Sequence, residues 1–111
     1  MASDNPPSEG VVTAADVFGL ARSGNDEALD AAFEAVYITA RFHSERAARA
    51  IEARWLWGEV WKQVAHEAGC TLPTAASMCR SAFEWMDRNI EFSTGHAVYV
   101  GTGKSPRGKS S

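Results

Sequence analysis

"WKQVAHEAGCTLPTAASMCR", residues 61–80, holds two Ala-containing stretches with Gly69 between them, and the fold turns on how they are read. The spacing predicts a helix over 59–68 and a second over 72–92. Gly69 ends the first, because a left-handed backbone costs glycine little. Thr71 is placed to cap the second, and Pro73 is tolerated there because its missing N–H falls in the first turn. Two consecutive helices that cross near a right angle need a small residue at the crossing, a left-handed residue in the turn and apolar residues behind. Ala65, Gly69 and the set Val64, Ala68, Cys70, Ala75 and Met78 fill those places.

Upstream, Thr13 with Asp16 three residues later forms an N-terminal cap pattern for a helix over 14–22. "RSGN" interrupts the chain, and Asn25 followed by Asp26 and Glu27 starts another helix. Leu29, Phe33, Val36, Ala40, Ala47, Ile51 and Trp55 then follow three- and four-residue steps. A break is expected near His43 and Ser44, since Ser44 caps a new helix. The alternative is one long helix that pairs with another copy. Gly58 marks the next boundary. Val98, Tyr99 and Val100 have strand chemistry, yet one strand does not stand alone. Trp57, Trp61 and Trp85 read as core aromatics that clamp the helices.

Charge is unevenly spread. Residues 1–40 carry seven acids against Arg22 alone, while residues 41–111 carry ten Lys/Arg against seven Asp/Glu. The overall charge of −3 therefore argues weakly against a nucleic-acid partner, and the C-terminal portion does not. No apolar run approaches the roughly 20 residues of a membrane helix, and "MASDNPPSEG" lacks the basic and apolar parts of a signal peptide. A cytoplasmic protein without a membrane partner is expected. Cys70 and Cys79 read as reduced thiols, and their spacing with His66 and His96 matches no zinc pattern. No phosphate loop, nucleophile elbow or His-Glu zinc motif is present. Glu59 and Glu67 are not marked as a catalytic pair. No enzyme, cofactor or metal is expected.

"GEVWKQVAHEAGCTLPTAASMCR" resembles the helix-turn-helix of sigma factor region 4 and of many small bacterial regulators. The matching positions are Gly58, Trp61, Val64, Ala65, Gly69 and Thr71, and the likeness covers about residues 47–92. Two departures stand out: Ala75 replaces a β-branched residue, and the second helix is poor in Arg, Gln and Asn. The resemblance implies that this helix reads DNA through Thr71, Leu72, Pro73, Thr74, Ala76, Ser77 and Arg80. Arg80 is its one strong base reader; Thr74 and Ser77 reach bases or phosphates, and Ala76 suits a thymine methyl.

The expectation is an all-α helical bundle with a helix-turn-helix in its C-terminal half. Residues 1–12 are a disordered tail, 13–56 the N-terminal helices, 57–93 the helix-turn-helix and 94–111 a flexible basic tail. The function expected is that of a small transcriptional regulator bound to double-stranded DNA. A homodimer is expected through residues 13–56, because Leu29, Phe33, Val36 and Ala40 offer more apolar area than a short helix covers. Arg41, Arg46, Arg49 and Arg54, with Lys104, Arg107 and Lys109 of the tail, either track phosphates or solvate the surface. The alternative function is a protein-interaction module of the same fold, which the apolar Leu72–Pro73 tip favours.

Overall fold

The computed structural model describes residues 13–101, so the tails expected over 1–12 and 102–111 lie outside the described residues. The chain is mostly helical. Helix α1 spans Ala14–Arg22, α2 Asp26–Phe42, α3 Glu45–Ile51, α4 Trp61–Ala68 and α5 Leu72–Asn89. A π-helical segment, Glu52–Leu56, continues α3. Strands β1 (Ile90–Ser93) and β2 (His96–Tyr99) form an antiparallel hairpin.

Short polar side chains set the helix starts. Thr13 Oγ1 accepts from the Asp16 amide at 3.1 Å, Asn25 Oδ1 from Ala28 at 2.9 Å and Ser44 Oγ from Ala47 at 3.1 Å. Each satisfies one of the amides that a helix N-terminus leaves without a partner. The break between α2 and α3 is therefore real. Two amides beyond α2, those of His43 and Ser44, both donate to the Thr39 carbonyl at 2.9 Å. Gly69 ends α4 at φ 72°, and the Cys70 amide donates back to the Ala65 carbonyl at 3.0 Å.

Alanine dominates the core. Ala31, Ala32 and Ala35 of α2, Ala47 and Ala48 of α3, and Ala75 and Ala82 of α5 are all buried. Small side chains let helices approach closely, but they bury little apolar area each. Larger residues fill what remains. Phe18, Ile51, Val64 and Met86 are fully buried. Rings link the elements edge to face, the buried Phe18 to the half-buried Phe83 at 5.4 Å, Phe83 to Trp55 at 4.9 Å and Trp55 to Trp61 at 5.8 Å. The run joins α1, α5, the π-helical segment and α4. The N-terminal helices are tied to α5 by a further bond, from the Ala14 amide to Asp87 Oδ1 at 2.8 Å.

The C-terminal end differs from the expectation. Helix α5 stops at Asn89 rather than 92, residues 94–99 are the turn and second strand rather than a tail, and the Val100 and Gly101 amides donate back to the Asn89 carbonyl. Ser93 pairs with His96, so Thr94 and Gly95 form a two-residue connection with Gly95 at φ 76°. The hairpin packs along α2. Glu34 Oε1 accepts from the Ala97 amide at 2.7 Å, which satisfies an edge-strand donor. On another side of α2, Val36 is buried, and Leu29 and Ala40 are half-buried. Of the stripe on which self-association was expected, only Phe33 remains exposed, at 37%.

Two predictions test this packing. Ala65 is buried beside the turn, so Ala65→Leu should overpack it and cost about 1–3 kcal/mol in a denaturant melt. Thr39 is fully buried and its hydroxyl has no hydrogen-bond partner among the described residues. Thr39→Val should therefore stabilise the fold by about 1 kcal/mol, read as a higher unfolding midpoint.

Candidate nucleic-acid interface

All seven residues assigned to the interface lie on the N-terminal half of α5 or at its cap. Thr71, Leu72, Pro73, Thr74, Ser77 and Arg80 are exposed; Ala76 is half-buried, which limits its reach. Ala75, Cys79 and Ala82 form the opposite, buried side of the helix. This division follows from helical spacing, since 75, 79 and 82 recur on one face.

Thr71 is partly committed to the helix start. Its Oγ1 accepts from the Thr74 amide at 3.4 Å, and its hydroxyl donates to Thr74 Oγ1 at 2.9 Å. The Thr74 hydroxyl keeps its own proton for an outside acceptor. Pro73 has no N–H and the Thr74 amide is taken by the cap, so the first turn offers few backbone donors to a phosphate.

The arginines divide sharply. Arg46 Nε donates to the Ala68 carbonyl at 2.8 Å, and its Nη2 reaches the Gly69 carbonyl at 3.4 Å. It thus fastens α3 to the end of α4, where a cation also suits the helix dipole. Arg49 pairs with Glu52 at 3.0 Å and Glu45 at 3.6 Å. Arg54 donates to the Glu59 carbonyl at 3.0 Å and lies 5.2 Å over the Trp61 ring. Arg41 lies 5.7 Å over Phe42. Arg80 is exposed, and no hydrogen bond or ion pair engages it among the described residues.

Acidic groups stand nearby in sequence. Gln63 of α4 donates to Glu67 at 3.0 Å. Glu59 Oε1 is buried without a hydrogen-bond partner. Burial, then a hydrogen bond with the Glu67 carboxyl and the Glu67 charge, raise the Glu59 carboxyl above its ordinary 4.5. Cys79 is a core residue whose thiol is pushed up to about 11 by burial and then by Cys70, so it is inert as a nucleophile. Among the described residues no three His, Cys, Asp or Glu side chains gather as a metal site. No helix there is long and apolar enough to cross a membrane.

Sequence reasoning missed a second aromatic group. Phe42 stacks on Tyr99 at 4.1 Å, Tyr99 on Trp85 at 6.0 Å and Trp85 on His43 at 5.0 Å. The column joins the end of α2 to α5 and β2. "IEFSTGHAVY" carried the signal: two short runs with β-formers, separated by the two residues Thr94 and Gly95. Trp57 was expected in the core and is instead 63% exposed.

Burial, and then the Arg88 guanidinium, hold the His43 imidazole below its ordinary 6.5. The fold therefore favours the neutral ring. Its contribution to stability is present above pH 6.5 and is lost as pH falls through the lowered value. His43→Phe keeps a ring in the column and removes the titration. The wild-type melting temperature should fall more steeply than the variant's as pH drops below 6.5.

Comparison of the chain with protein-family models, with curated proteins and with solved structures finds no match in any of the three.

Proposed function

We propose that this chain is a small DNA-binding protein, a cytoplasmic transcriptional regulator that lays the N-terminal half of α5 in the major groove. The observation that carries this reading is the strip of Thr74, Ser77 and Arg80. It faces solvent on a helix that follows the left-handed Gly69 turn, and Arg80 is left unengaged while Arg46, Arg49 and Arg54 hold the fold together. A planar guanidinium in that position suits a guanine edge or a phosphate. Val36 is buried and Leu29 and Ala40 are half-buried within one copy, so this reading does not depend on a homodimer.

The test is a fluorescence titration of the protein against a pool of random duplexes at two salt concentrations. Binding that weakens with salt supports the reading. Arg80→Ala then separates two roles. A guanine contact is worth about 1–3 kcal/mol of discrimination, so its loss relaxes specificity at one base pair. A phosphate contact weakens all sequences alike and lowers the salt slope by about one. No salt-dependent binding at low salt would sink the DNA reading.

One observation favours a second reading, in which the same helix docks a protein such as part of the transcription machinery. Leu72 at the tip of α5 is 46% exposed beside Pro73. Leu72→Glu should then abolish pull-down of that partner while leaving the fold intact.

A further inference from the structure

We propose that the outward face of α2, with Trp57, docks a basic amphipathic helix of another protein. Phe33 and Tyr37 lie four apart on α2, and the Trp57 ring sits 6.0 Å from Phe33. Tyr37 is 64% exposed, about as open as Trp57. A groove of about 430 Å³ opens beside them, lined by Phe33, Glu34, Tyr37, Ile38 and Ala97.

Trp57 is held in place although it faces solvent. Its Nε1 donates to Glu52 Oε2 at 3.0 Å, and Arg49 fixes the same carboxylate at 3.0 Å. The ring lies just beyond the π-helical segment, whose wide turn is closed by the Trp57 amide on the Glu52 carbonyl at 3.1 Å. A large ring already fixed in orientation loses little freedom when a partner covers it. Exposed rings of this kind act as anchors at interfaces.

Charge selects the occupant. Asp30 stands beside Phe33 on the same exposed face, with Asp26 one turn earlier, while Glu34 is engaged by the Ala97 amide at 2.7 Å and by His96 at 3.7 Å. Carboxylates and aromatic faces both attract a guanidinium or ammonium group. An apolar residue in the groove, flanked by Arg or Lys one turn away, satisfies both features. The 17 residues of α2 extend about 25 Å, the length of an occupant helix of four to five turns.

A second copy fits this face poorly. A two-fold contact would set the acidic side of α2, with Asp26 and Asp30, against the same acidic side of the second copy. Three partly covered rings also fall short of the roughly 800 Å² per partner that a stable dimer buries.

The probe is a fluorescein-labelled Leu/Arg amphipathic helical peptide, titrated by anisotropy beside its Leu/Glu counterpart. The Leu/Arg peptide should bind, lose affinity as salt rises, and outcompete the acidic peptide. Tyr37→Ala and Asp30→Lys alter exposed side chains, and circular dichroism should confirm their folding. Each should weaken binding about tenfold or more, while Leu72→Glu leaves it unchanged. Equal binding by the acidic peptide, or unchanged affinity in both α2 variants, overturns the proposal. So does loss of binding in Leu72→Glu, which assigns the peptide to α5. Light scattering that shows self-association abolished by Tyr37→Ala overturns it too, by giving the face to a second copy.

Discussion

The edge-to-face contact between Trp55 and Phe83, at 4.9 Å, is the joint on which the other elements depend. Alanine-lined helices pack closely but leave gaps where they diverge. Rings fill those gaps with large area and a preferred geometry, each pair worth about 0.5–1.5 kcal/mol beyond its burial. From Phe83 the chain of contacts runs to Phe18 on α1, and from Trp55 to Trp61 at the start of α4. The start of α4 has no side-chain cap. Trp61, with Arg54 over its ring, holds that end through packing and cation–π attraction instead.

The placement of α5 rests on a second constraint, the anchoring of the turn before it. Gly69 lets the backbone reverse, and Arg46 reaches across from α3 to the last carbonyls of α4. An arginine used this way is lost to any phosphate. The same holds for Arg49 and Arg54, so the positive charge of residues 41–54 is largely internal to the fold. What reaches outward from α5 is a short polar strip with one guanidinium. The proposed DNA contact is accordingly narrow, and Arg80 has a large share in it.

The hairpin covers one flank of α2, near Ala28, Ala31 and Phe42. Glu34 accepts from the edge of β2, and Phe42 at the end of α2 stacks on Tyr99. Phe33 and Tyr37 lie just outside that cover, next to Trp57. The face they form is thus a consequence of where the hairpin stops.

Local chemistry was legible from the sequence alone. Thr13, Asn25, Ser44 and Thr71 announced their helices because a short oxygen side chain satisfies an amide within three residues of itself. Gly69 announced the turn for the same local reason, and the buried face of α5 followed from the period of Ala75, Cys79 and Ala82. The tertiary structure alone decided which partner each long side chain found. Arg46 and Arg80 look alike in sequence, yet one meets a helix end and the other meets solvent. Trp57 and Trp55 are two residues apart, and only the π-helical exit sends one outward. Val98 and Tyr99 suggested a strand, but its partner lay in residues that also continue a helical pattern. A strand's stability comes from the neighbour it pairs with and the helix it covers, and neither is encoded within its own four residues.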